Sequence, residues 1–234
     1  MRMGVVVSMD APRLPPVFRP VAIAAGDPLR TACSLGEEGA EAGTLVWVTH
    51  RERLDCAVVI EPDRPLDRAR PALLVALLAL ADALGAAGPP QVAVGLTWPD
   101  RIEVNGALVG GVRFEAPPDD GGIPAWAVVG ATVDVLGNPD DDSPGRHAGW
   151  TALREEGFGE VDATSLLEGF ARHLLSWMEL WENEGFAPIR AAWSRRGAEL
   201  EETGALLTDD GRRLDLGAAT GTPTWSMPWR PPSA

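Results

Sequence analysis

The sequence has no lysine: all twenty basic residues of this 234-residue chain are arginines. The phosphate loop G-x-x-x-x-G-K-[ST] is thereby excluded, and no G-x-S-x-G elbow offers a nucleophilic serine. Cysteine is scarce as well, with Cys33 and Cys56 alone and no C-x-x-C or metal-ligand spacing. Nothing suggests secretion, so both are expected as free thiols. Long apolar runs are missing: the most apolar stretch, Ala72–Leu84, is about half the length of a membrane span and contains Asp82. The opening MRMGVVVSMD is too short for a signal peptide and has no small-residue cleavage site. The expectation is a soluble, cytoplasmic protein without a membrane partner. Positive charge is outnumbered, at 20 basic against 34 acidic side chains, giving −14 and a pI near 4.6. That balance argues against nucleic acid as a partner.

What is present is enough apolar sequence, 45%, to build one sizeable domain and a small appendage. The informative stretch is Gln91–Glu115, QVAVGLTWPDRIEVNGALVGGVRFE. Two β-like runs, Arg101–Val104 and Ala107–Phe114, flank Asn105-Gly106, a two-residue hairpin signal because both residues accept positive φ. A third run, Gln91–Thr97, leads in and is broken off by Trp98-Pro99. Gly110-Gly111 removes side chains from the last strand, so a backbone or a ligand can approach closely. Strict alternation places Arg113 on the face of Gly111 and opposite Leu108.

Thr97-Trp98-Pro99-Asp100, Val104-Asn105-Gly106 and Val109-Gly110-Gly111-Val112 together resemble the central signature of the biotin/lipoate A/B protein ligases, approximately K-W-P-N-D-x-x-x-N-G-R-K-x-A-G-I. The resemblance implies a class II synthetase-like α+β fold. It implies ATP and Mg2+ as cofactors, biotin or lipoate as ligand, and a biotinyl- or lipoyl-carrier domain as partner. It places Trp98, Pro99, Asp100, Asn105, Gly106, Gly110 and Gly111 about the ligand, and Arg113, two residues past Gly111, supplies charge there if it faces the pocket. The departures are large: the family lysines fall on Thr97 and Leu108. The family's glycine-arginine loop over the adenylate is reduced to His50–Asp55, where Arg51 and Arg53 flank Glu52. Gly130 and Asp134 lie in a segment resembling the family strand I-G-x-G-I-N-V, with Asp134 in place of an adenylate-assisting asparagine. Family members that act as repressors carry a winged helix, and none is expected in the short stretch before Asp27.

Along the chain, residues 1–27 are Pro-rich and read as extended. Leu29–Gly39 reads as a helix, Gly43–Thr49 and Ala57–Ile60 as neighbouring strands, and Leu66–Leu84 as one long buried helix. Ile123–Leu136 reads as a strand. Asn138–Pro144, with three aspartates, reads as a solvated acidic turn, since adjacent aspartates splay apart and no fourth ligand for a metal is evident. Ser165–Glu184 is a second long helix with Ser165 and Glu168 as a capping box; Leu167, Phe170, Leu174, Met178 and Trp181 mark its core face, and His173 lies off it. Ile189–Arg196 is a short helix. Thr203–Leu207 and Arg213–Leu216 bracket the turn Asp210-Gly211, and a Pro/Trp tail with Trp225 and Trp229 follows. The expected architecture is a mostly antiparallel sheet flanked by helices over 1–196, with a small β module and the tail over 197–234.

Three functions compete. The chain is a lapsed relative that keeps a pocket for a small apolar carboxylate, an active ligase using arginines for lysines, or an interaction module. A cysteine-based acyl transfer needs a thiol beyond the hairpin, and Cys33 and Cys56 both precede it.

Overall fold

The computed structural model describes residues 11–137 and 149–219. The central sheet is built from β1 (Arg19–Ile23), β2 (Thr44–Val48), β3 (Arg53–Ile60), β4 (Val94–Thr97), β5 (Arg101–Val104), β6 (Ala107–Glu115) and β7 (Ala127–Asp134). Their order is β1-β2-β3-β7-β6-β5-β4; β1 runs parallel to β2 and every other pairing is antiparallel. The helices are α1 (Pro28–Glu37), α2 (Leu66–Ala69), α3 (Ala72–Ala87), α4 (Ala163–Glu184), α5 (Ala187–Ser194) and α6 (Leu216–Ala219). A second sheet, β8 (Glu199–Leu200), β9 (Leu206–Leu207) and β10 (Arg213–Leu214), forms the small C-terminal module.

Alternation sorts the strand residues between two faces. Leu54, Cys56, Val58, Ile102, Val129 and Val133 face α3 and α4 in the main core. Val46, Ala57, Val59 and Val128 face α1 on the other side. Cys56 belongs to the first face and half-buried Cys33, on α1, to the second, so the sheet separates the two thiols. α3 is apolar all round because it lies between the sheet and α4, and twelve of its sixteen residues are buried. With α2 it is long and apolar enough to pass for a membrane span, but it serves as the core helix here. Its one acid, Asp82, accepts from Trp177 Nε1 at 2.8 Å and pairs with Arg196 at 3.2 Å.

Several expectations change. The single helix over Leu66–Leu84 is two, because Pro71 has no N–H to continue the ladder; Leu73 N reaches Arg70 O in a tighter turn before α3 proceeds. The strand expected from Ile123 starts at Ala127, and the one expected at Ala57 starts at Arg53. The extended N-terminal stretch contains the edge strand β1. The capping box of α4 is formed by Asp162, which accepts from Ser165 N at 2.7 Å, while Glu168 instead receives Arg13 N at 2.7 Å. His173 and Met178 are half-buried. The acidic loop Asn138–Pro144 and Trp225 and Trp229 of the tail lie outside the described residues.

Candidate functional site

The hairpin forms as its Asn-Gly signal requires: Asn105 and Gly106 have φ of 52° and 83°. Both sit exposed at the tip. Asn105 works there as a staple, its Oδ1 accepting from Ala93 N at 3.2 Å and its Nδ2 donating to Glu156 Oε2 at 2.7 Å. Trp98, joined to Pro99 by a cis peptide, donates from Nε1 to Gly204 O at 3.0 Å and so docks the C-terminal module beside the hairpin. Pro99 and Asp100 are buried beneath the turn, and Val112 N donates to Asp100 O at 2.9 Å.

β6 carries a bulge. Ile102 pairs with Gly110 but Glu103 pairs with Leu108, leaving Val109 as the extra residue. Cross-strand partners share a face, so Leu108, Gly111 and Arg113 all lie on the face opposite the main core. This corrects the strict alternation that set Arg113 against Leu108. One row of partners crosses five strands on this face: Asp55, Thr132, Gly111, Arg101 and Thr97. Arg113 and Gly130 pair in the adjoining row, Arg53 and Asp134 in the one on the other side.

The glycines of the signature have structural uses. A Cβ on Gly110 would lie 2.0 Å from Thr132 O, so this residue lets β6 and β7 approach at the bulge. A Cβ on Gly130 would meet Leu29 Cδ1 at 3.0 Å, where α1 seats on the sheet.

The charges on this face pair with one another. Asp55, 5% exposed, is held by Arg53 at 2.6 Å, by Thr132 Oγ1 at 2.7 Å, and by His50 Nε2 at 3.4 Å. Burial pushes the Asp55 carboxyl up, but the His50, Arg53 and Thr132 contacts outweigh it and hold the group below the ordinary value of 3.8. Arg113 grips Asp27 with both terminal nitrogens, at 3.0 and 3.2 Å. Thr97 spends its hydroxyl on Glu103 Oε1 at 2.9 Å. Leu108 is nearly buried, its N–H donating to Gly149 O at 2.7 Å and its carbonyl accepting from Thr151 N at 3.0 Å. Asp134 Oδ1 accepts from Gly137 N at 2.9 Å. The shortened β2–β3 connection is tied down too, since Val135 N and Leu136 N both donate to Glu52 O. Arg51 stands exposed on it, without a side-chain partner among the described residues.

Sequence reasoning did not single out Asp27, His50, Asp55 or Thr132. Two signals were available: Asp27 before Pro28 is an N-cap pattern, and Asp55 is a charge inside the apolar run of β3. A cleft of about 350 Å³ with no hairpin residue in its lining is bounded by Glu184, Arg190 and Glu202, and Arg64 stacks 4.7 Å over Trp181 there. Trp181 and Trp193 themselves are buried, as core packing requires.

A mostly antiparallel sheet between helices, with the Asn-Gly hairpin and a small C-terminal sheet, defines a biotin/lipoate ligase-like α+β domain. Residues 14–195 match the model of the biotin/lipoate A/B protein ligase family, and the chain belongs to that family. A biotin–[acetyl-CoA-carboxylase] ligase of Paracoccus denitrificans is 34% identical over 158 residues, 67% of this chain but 65% of that protein, just under two thirds of its length. A biotin protein ligase-like protein of unknown function from Silicibacter sp. TM1040 aligns with a TM-score of 0.78 and 31% identity, over 89% of this chain and 98% of its own. The biotin protein ligase of Aquifex aeolicus in complex with biotin and ATP aligns with a TM-score of 0.64 over 84% of this chain and 95% of its own; at 16% identity it shows the fold alone.

Proposed function

We propose that this chain is a divergent biotin/lipoate ligase-like protein that binds a small apolar carboxylate over the bulged face of β6 and has lost most or all ligase activity. One observation carries the reading: two arginines of this face are already paired, Arg53 with Asp55 and Arg113 with Asp27, so Arg113 meets a ligand only in exchange for Asp27. Adenylation brings a carboxylate against a triphosphate, and cationic groups must offset that repulsion as charge develops. Leu108 has no donor to give and Thr97 gives a neutral one, already engaged. Losing one preorganised group of this kind lowers the rate on the order of a hundred- to a thousandfold.

Nucleotide and magnesium fit this face poorly. Asp55 and Asp134 share it, and among the described residues no group of three His, Cys, Asp or Glu converges as a metal site. On this reading Trp98, Pro99, Asp100, Gly111 and Arg113 frame the ligand, residues 1–196 form the binding domain with 197–234 appended, and the protein is cytoplasmic.

The alternative is an active ligase that acts on a biotinyl- or lipoyl-carrier domain. It is favoured by the 34% identity to the biotin ligase of Paracoccus denitrificans and by Arg51, whose side chain has no partner among the described residues. Titration with biotin, lipoate and octanoate, with and without ATP, tests both. The proposal expects weak binding that ATP does not strengthen; strong cooperation between acid and ATP favours the ligase.

A further inference from the structure

Arg113 and Asp27 come from elements far apart in sequence, and their contact has the two-pronged form by which a guanidinium takes any carboxylate. Asp27 is held in place independently, because its Oδ1 also accepts from Leu29 N at 3.0 Å as the N-cap of α1. Giving up Arg113 therefore leaves the cap bond intact. The pair is reachable from solvent, with side-chain exposures of 28% for Arg113 and 44% for Asp27. Beside it sits the thiol of Cys33, which burial first, and then Glu115, Asp27 and Glu37, push up to about 11 against the opposing charge of Arg113.

We propose that Asp27 is a built-in competitor for the ligand at Arg113: its carboxylate fills the guanidinium fork that the bound acid takes, and so sets which acids the site admits. This rests on reading the bulged face as a carboxylate site. An acid enters by displacing Asp27, so its apolar tail must contribute enough to outweigh the exchange of one carboxylate for another. Acids with long tails are admitted and acetate-sized ones are refused.

The test is calorimetric titration of octanoate, lipoate, biotin and acetate into the full chain and its variants. Asp27→Asn keeps a capping oxygen and removes the charge, and Asp27→Ser does the same with a different side chain. Both are expected to tighten octanoate about two- to fivefold, the effect of removing one partly exposed ion pair. Arg113→Met is expected to weaken it by roughly tenfold or more. In the Arg113→Met background, Asp27→Asn should give no gain, since the fork it freed is gone. A gain of equal size in that background, or no gain from either Asp27 variant with thermal melts intact, overturns the proposal. If no acid binds the wild type or any variant, the carboxylate site itself is refuted with it. Binding by the wild type that neither Asp27 variant tightens removes Asp27's role alone.

Discussion

Arg53 closes on Asp55, two residues along β3, at 2.6 Å, and Thr132 on β7 meets the other carboxylate oxygen at 2.7 Å. A buried carboxylate held in this way is a structural clamp between β3 and β7, and it takes from the site a cation that nucleotide chemistry would need.

The clamp predicts an acid-sensitive fold. The Asp55 carboxyl is held below its ordinary value in the folded chain, so its contribution is present above about pH 4 and is lost as pH falls through the lowered folded value. Asp55→Asn should cost about 1–3 kcal/mol at neutral pH and flatten the loss of stability below about pH 4. Urea melts across that range check both, and a variant with the same acid limb as the wild type would remove the clamp.

Gly110 is predicted to be needed for the sheet rather than for the ligand. A methyl there would sit 2.0 Å from Thr132 O, so Gly110→Ala should destabilise by about 1–3 kcal/mol through strand separation. Denaturant melts measure this directly. Loss of ligand affinity with unchanged stability would instead make the residue part of the pocket.

Leu108→Lys restores a family cation on the face of Gly111 and Arg113. It should tighten nucleotide or acyl binding severalfold, while turnover stays near background because the His50–Asp55 connection still supplies no covering loop. Titration and single-turnover assays on the same preparation separate the two effects. A large gain in turnover without a gain in binding would contradict the assignment of that missing charge.

Local chemistry was legible in the sequence, and non-local geometry was not. Asn105-Gly106 announced its hairpin because a type I′ turn is decided by two residues. The bulge at Val109 was hidden, since it exists only in the register between β5 and β6, and it moved Leu108 onto the face of Arg113. The partner of Arg113 was hidden for the same reason, with Asp27 eighty-six positions away. Strand β1 escaped notice because RPVAI contains a proline, which an edge strand tolerates. Pro71 was visible, but the apolar run of α3 around it masked the break between α2 and α3.

The most direct test is exchange of pyrophosphate into ATP, driven by biotin or lipoate, on the wild-type chain. With Thr97 and Leu108 proposed to stand where the family has lysines, and Arg53 and Arg113 already paired, the expected result is no acid-dependent exchange above background. Exchange at ordinary enzyme rates, on the order of one per second or faster, would contradict it and make Arg51 the first residue to substitute.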